Sequence, residues 1–336
     1  MTSLPSYALR LCAALLALAS LAASCSKEQR AAAPEPTVGI TFEAGLAHTR
    51  SDIPADGAVH TLDVLVFRTA TGALESHVRS AASRVNVEVL KDVEVTCKAV
   101  ANAPSGAFAG VRTLSGWEGT SALLSQCSPA SLIMTGGSTY TFSAPATEQV
   151  ELRRLPCKVS LETVTPAFLA YAYTDAESHY LGAFLVNAVG SVLYDGTAQT
   201  SPWYNPQGRD ASLPEAMQAL LCADADSTLS GAATISPDIA LYCCPNPTDN
   251  SSNSLNAPQW SARNTRLVVV LSIAGQLNYY PVTLPAMTGN TEYRITDLRL
   301  LGPGSGSPDI PVSRDVIDYT VVVSPWVDDE KDITMY

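Results

Sequence analysis

One arginine in a small, polar stretch is the residue of this chain best placed to be acted on. Arg50 lies in His48-Thr49-Arg50-Ser51-Asp52-Ile53-Pro54-Ala55-Asp56-Gly57, a turn-rich segment between two strand-like runs. Loop tips of small polar residues are where proteases cut, so the Arg50–Ser51 bond is a candidate cleavage site. Arg153-Arg154 is a competing basic pair, but apolar residues alternate around it and embed it in a strand. Catalytic patterns are missing: there is no Gly-x-Ser-x-Gly elbow and no His-Glu-x-x-His. His48, His60, His77 and His179 are scattered, lack partners at metal spacing, and read as solvated or hydrogen-bonded structural histidines. Gly302-Pro303-Gly304-Ser305-Gly306 follows a strand, yet Pro303, Pro308 and Pro311 forbid the helix that would hold a phosphate. It reads as a hinge or linker. Asp328-Asp329-Glu330 with Asp332 reads as a solvated acidic end. The expectation is a chain with no catalytic residue, cofactor or metal.

Cys25 is the second candidate for chemistry. Arg10 is the only charge before Lys27, and Leu11 to Ala23 is an unbroken run of Leu, Ala, Cys and Ser. That run is short of the roughly 20 residues a membrane span needs, and it reads as a removable targeting segment, residues 1–24. It ends in Leu21-Ala22-Ala23-Ser24-Cys25, which resembles a bacterial lipobox, with the leucine four residues before the cysteine where three is usual. Cys25 would then be the acylated first residue, held in lipid by about 0.8 kcal/mol per buried methylene. An ordinary signal peptide is the alternative. Ser26 to Pro36 follows as a polar tether. Of eight cysteines, those other than Cys12 and Cys25 are Cys97, Cys127, Cys157, Cys222, Cys243 and Cys244. Disulfides and buried free thiols both remain open. Cys243 and Cys244, on a strand, would point to opposite faces.

Strand patterns dominate the elements that must position these residues. In Val38-Ile40-Phe42-Ala44-Leu46 every second residue is apolar, and Ile317-Tyr319-Val321-Val323 repeats that alternation near the other end. Period two marks strands buried on one face. Further strands are expected at Leu62–Phe67, Val85–Val89, Val93–Cys97, Lys158–Thr163, Tyr180–Val186, Leu267–Ile273, Tyr279–Leu284 and Tyr293–Leu301. Short helices are expected at Thr120–Gln126 and Ser212–Ala223, the latter with a capping box at Ser212 and an apolar face of Leu213, Met217, Leu220 and Leu221. The 336 residues suffice for about two domains, and a break falls near Gln149 to Cys157. The expected architecture is mostly β, with domains at 51–155 and 156–301, each a sandwich or open barrel, and a linker and tail at 302–336. Net charge is −12, which argues against nucleic acid or anionic membrane as a partner, since phosphate contacts need a basic face.

These residues together resemble the major fimbrial subunit (fimbrillin) family of Bacteroidales, the pilins of type V pili. The marks are Leu62–Phe67, Ala99-Val100-Ala101-Asn102-Ala103-Pro104, Leu132-Ile133-Met134-Thr135-Gly136, Leu152-Arg153-Arg154-Leu155 and Leu185-Val186-Asn187. Leu300-Leu301-Gly302-Pro303-Gly304, Pro308-Asp309-Ile310-Pro311 and Val321 to Trp326 complete the order. The resemblance implies two transthyretin-like β-sandwich domains and an outer-membrane lipoprotein precursor acylated at Cys25. It implies cleavage by an arginine-specific protease at Arg50, before Ser51, which frees residues 25–50 with the first strand. The tail of another subunit would enter the vacated groove. Ile317, Tyr319, Val321 and Val323 would fill what Val38, Ile40, Phe42 and Leu46 leave. The implied partners are other fimbrial subunits, including anchor and tip proteins, in a surface fimbria that supports adhesion. Two alternatives stand beside a stalk subunit: a non-polymerising anchor or tip subunit, and a glycan-binding surface lipoprotein. Aromatic residues at 7% of the chain disfavour the last.

Overall fold

Apolar residues at every second position draw the N-terminal strands into a sandwich. The computed structural model describes residues 35–46, 55–174, 176–229, 233–250 and 261–326. The first strands are β1 (Thr37–Leu46), β2 (Leu62–Arg68), β3 (Leu74–Ser80), β4 (Arg84–Leu90) and β5 (Glu94–Ala101). They are followed by β6 (Ser121–Leu123), β7 (Met134–Thr141) and β8 (Ala146–Arg154). The hydrogen-bonded path runs β3-β2-β5-β7-β8-β1-β4 and curls until β3 and β4, its two ends, approach each other. Val85, Val87 and Val89 point inward from β4 while Arg84, Asn86 and Glu88 face solvent. Inside the curl these valines meet Ile40, Phe42, Val64, Val66, Cys97 and Leu152.

β2 breaks the alternation because it is covered twice. Leu62, Val64 and Val66 face the sandwich core, while Leu65 and Phe67 face a second cluster shared with the C-terminal strands. A continuous apolar run, here Val64 to Phe67, is the expected signature of such a strand. Asp63, buried within it, is paired with His77 at 2.9 Å and Arg79 at 2.6 Å.

The remaining strands are β9 (Cys157–Leu161), β10 (Val164–Pro166), β11 (Ser178–Val186), β12 (Ala188–Val189), β13 (Ser191–Leu193) and β14 (Trp203–Tyr204). They continue with β15 (Cys222–Leu229), β16 (Ile239–Cys243), β17 (Arg266–Ile273), β18 (Gln276–Thr283), β19 (Thr291–Leu300) and β20 (Ile317–Pro325). One sheet has the order β10-β19-β9-β16 with β20 added to β19, and another has β15-β11-β17-β18. Strand partners change between β8 and β9, whereas a single apolar cluster runs from Leu65 and Phe67 to Leu271 and Ile295.

Helices are short. α1 (Leu114–Glu118) lies just before the expected Thr120–Gln126 segment, which instead forms β6 and one 3-10 turn. Thr113 caps α1 by accepting from the Gly116 amide at 3.1 Å. α2 (Glu215–Leu221) is shorter than the expected Ser212–Ala223. Its first turn follows Pro214, and the Ser212 hydroxyl donates to Asp210 at 2.6 Å, so no capping box forms. Its end is fixed because Cys222 turns extended and pairs with Phe184.

The glycine-rich stretch after β19 is held in place. The Tyr280 hydroxyl donates to the Gly302 carbonyl at 2.9 Å, and Ser305 and Tyr279 exchange backbone hydrogen bonds at 2.9 Å. A Cβ on Gly304 would stand 2.5 Å from the Tyr279 carbonyl oxygen. Glycine there permits close approach of two backbones, a different use from the expected hinge. Asp309 then inserts its carboxylate between two buried arginines, Arg263 at 2.6 Å and Arg266 at 3.1 Å. All three side chains are at most 5% exposed. Removing one member of a buried ion pair leaves the others uncompensated, at about 3–5 kcal/mol. Asp309→Ala is therefore expected to lower unfolding free energy by about that much in urea titration; an unchanged midpoint would show that the clamp holds nothing.

Candidate functional site

β1 occupies a slot that needs a strand. It pairs antiparallel with β4, from Thr37 opposite Leu90 to Glu43 opposite Arg84, and parallel with β8, from Ile40 opposite Ala146 to Leu46 opposite Leu152. Within the described sheet, β4 joins through β1 alone. Ile40 and Phe42 are fully buried, and Val38, Ala44 and Leu46 are half-buried around the same core. The Phe42 ring meets Tyr140 and Phe142 edge-on, with centroids 6.1 and 6.4 Å away. On the outer face the Thr41 hydroxyl donates to Asn86 at 2.8 Å, and Glu43 meets Gln149 at 2.6 Å and Arg84 at 3.2 Å. Without β1, the facing backbone N–H and C=O groups of β4 and β8 would lose their partners, a template for another strand.

β20 is the reverse case, a strand with one neighbour. It pairs antiparallel with β19, from Leu300 opposite Ile317 to Thr291 opposite Pro325, and its other edge has no strand beside it in the described sheet. Ile317 is buried, Tyr319 and Val321 are half-buried, and Val323 is 51% exposed. The expected common face of Ile317, Tyr319, Val321 and Val323 thus holds for three of the four. The register shift on β19 between Ile295 and Asp297 falls opposite Thr320 and Val321.

The tail is pinned again at its far end. Trp326 is buried, stacks on Tyr242 at 5.7 Å, and has the Arg154 guanidinium 4.4 Å from its ring. Its amide donates to the Asn290 carbonyl at 3.0 Å. Arg154 in turn donates to Asp56 at 3.1 Å, and the Tyr242 hydroxyl donates to the same carboxylate at 3.4 Å. Burial and the Asp56 charge push the Tyr242 hydroxyl pKa upward, so it stays a donor. Asp56 belongs to the 3-10 turn Ala55–Gly57, the first described residues after β1. One buried cluster therefore touches both the segment that follows β1 and the last described residue of the tail.

Cys25, His48, Arg50 and Ser51 lie outside the described residues, as does the acidic end at 328–332. Among the described cysteines, Cys97, Cys127, Cys157, Cys243 and Cys244 are buried, Cys222 is half-buried, and all are free thiols. Burial and the nearby Glu148 push the Cys97 pKa up to about 12, and burial lifts Cys127 to about 11. Such thiols are inert. His60 bonds to the Ala130 carbonyl, His77 to Asp63, and His179 to Glu177. No group of side chains able to hold a metal occurs among the described residues. The sequence reading missed the Asp309 clamp and the Trp326 cluster, though Asp309, Arg154 and Trp326 all stand inside motifs that it singled out.

No family model matches the chain, and no curated protein does either. Solved structures do match. A candidate cell adhesion protein of Bacteroides eggerthii superposes with a TM-score of 0.66 at 17% identity, covering 88% of this chain and 97% of that one. The chain shares its fold. A fimbrilin of Porphyromonas gingivalis gives 0.60 at 17% identity, over 87% of this chain and 97% of that one. The tip fimbrial protein Mfa3 of the same organism, with a C-terminal truncation, gives 0.52 at 16% identity over 87% and 100%.

Two substitutions separate the roles of slot and tail. Phe42→Ala should destabilise the full-length protein by about 3–5 kcal/mol in denaturant unfolding, because it empties a fully buried aromatic site. Trp326→Ala should speed amide exchange in β20 while β1 and β4 keep their protection. Equal loss of protection in all three strands would mean that the tail is an inseparable part of the core.

Proposed function

We propose that this chain is a structural subunit of a surface fimbria that polymerises by strand exchange. The observation that carries this reading is the contrast between two strands of one molecule. β1 fills a two-sided slot, and β20 lies on a one-sided edge with Val323 turned to solvent. The fold shared with a fimbrilin and a tip fimbrial protein supports it.

The sequence of events starts with export as a lipoprotein acylated at Cys25 and held at the outer membrane. An arginine-specific protease cuts between Arg50 and Ser51, and β1 leaves with the tether. The open slot then accepts the tail of a neighbouring subunit by backbone pairing, with side chains seated in alternate pockets. Val323 gains most on seating, about 1.5–3 kcal/mol for full burial of an exposed side chain, whereas Ile317, already buried against β19, exchanges one core for another. Each subunit both donates and accepts, so the contact is head-to-tail, does not close, and builds a filament. The partners are further copies of this chain together with anchor and tip subunits, and the filament serves adhesion. The pivot of the tail lies after Asp309, since Gly302 to Asp309 are bonded to the body.

Wild-type protein treated with an arginine-specific protease should give a ladder on an unheated gel that collapses on boiling. Arg50→Ala should stay monomeric under the same treatment. A ladder from the variant would place the cut elsewhere, and no ladder from wild type would refute the polymerisation.

A further inference from the structure

Read backwards, the C-terminal strand carries nearly the same chemistry as β1 read forwards. Thr37-Val38-Gly39-Ile40-Thr41-Phe42-Glu43-Ala44 aligns with Ser324-Val323-Val322-Val321-Thr320-Tyr319-Asp318-Ile317. Inward positions then match Val38 with Val323, Ile40 with Val321, and Phe42 with Tyr319. Outward positions match Thr41 with Thr320 and Glu43 with Asp318. The tail is bulkier at Gly39, at Ala44 and, by one hydroxyl, at Phe42. A Cβ at Gly39 would meet just the flexible Glu88 carboxylate at 3.4 Å, and Ala44 is half-buried.

The same-direction alignment, with Ile317 on Ile40 and Tyr319 on Phe42, fits the inner face but not the outer one. It sets Asp318 on Thr41 and Thr320 on Glu43. That loses the hydroxyl that meets Asn86 and the carboxylate that meets Gln149 and Arg84. Reversal leaves the balance of ladders intact. β1 makes one antiparallel ladder with β4 and one parallel ladder with β8, and a reversed strand would make one of each with the partners exchanged.

The Phe42 site also suits a tyrosine. Glu148 stands directly across from Phe42 on β8, half-buried, with no hydrogen bond or ion pair among the described residues. Burial and the Glu148 charge raise the Tyr140 pKa, and the Phe42 ring lies 6.1 Å from Tyr140, so a tyrosine in the Phe42 site would join an inner face that already holds one beside this carboxylate.

We propose that the β1 slot accepts the C-terminal strand of a second copy of this chain running opposite to β1, with Tyr319 in the Phe42 site. The inference rests on the strand-exchange reading and adds direction and register to it. Thr320 of the donor then lies beside Thr147 of the acceptor, and Asp318 beside Gln149, as Thr41 and Glu43 now do.

The test uses full-length chains carrying one cysteine in the tail and one on β8, at positions that are all exposed in the monomer. After arginine-specific cleavage and mild oxidation, covalent multimers are read on a boiled, non-reducing gel. Thr320→Cys with Thr147→Cys, and Asp318→Cys with Gln149→Cys, should cross-link at least about tenfold more than the swapped pairs, since cysteines two residues out of register are too far apart to bridge. Stronger cross-linking by Asp318→Cys with Thr147→Cys, or by Thr320→Cys with Gln149→Cys, would establish the same-direction strand and overturn the proposal. Unboiled ladders with no cross-link in any pair would overturn the register and leave strand exchange standing. Failure of wild type to form ladders would overturn both.

Discussion

Backbone amides buried between two strands need a third strand, whatever its origin. The N-terminal sheet of this protein meets that demand with β1, which alone ties β4 to the rest of the described sheet. Ile40 and Phe42 are the largest side chains that β1 gives to the core, and the aromatic pair Tyr140 and Phe142 closes around the second. The slot is thus defined twice, by unpaired ladder groups and by pockets of fixed size. A strand that satisfies one but not the other would sit poorly in it.

The tail obeys the opposite constraint. It is fastened at Asp309 and at Trp326, and between these points only Ile317 among its apolar residues is fully buried on β20. Both fasteners are charge-bearing and buried, so each depends on complete pairing rather than on apolar area. The Trp326 cluster has a second role through Asp56. That carboxylate receives bonds from Arg154 and Tyr242 and belongs to the first described turn after β1. The start of the sandwich and the end of the tail therefore share one electrostatic neighbourhood.

Much of this was legible from residue order, for local reasons. Alternation in Val38–Leu46 and Ile317–Val323 marked both strands, and Leu62–Phe67, apolar but for Asp63, marked a strand that turned out to be covered on both faces. Helix ends were less legible. Ser212 looked like a cap because of Glu215, but Asp210 captured its hydroxyl and Pro214 set the first turn. The exposure of Val323 was hidden because alternation reports a shared face and not how much of that face other elements cover. The polar fasteners were hidden for a similar reason: Arg154 meets Asp56 across 98 residues, and Arg263 meets Asp309 across 46. No periodicity reports contacts at such separations. What the sequence did carry was their places, since Asn102, Arg154, Asn187 and Asp309 all lie in the stretches that suggested a fimbrial subunit. Each is a buried polar post; Asn102 and Asn187 also turn the chain through positive φ.

The Asp309 clamp has a mechanical consequence. Any pull on the tail travels down the chain to the first residue that cannot yield, and that residue is gripped by two arginines at the head of β17. Tension would thereby pass through Arg266 into β17, a strand flanked on both sides by β11 and β18. The clamp thus ties a lightly packed tail to the middle of a sheet and not to its edge.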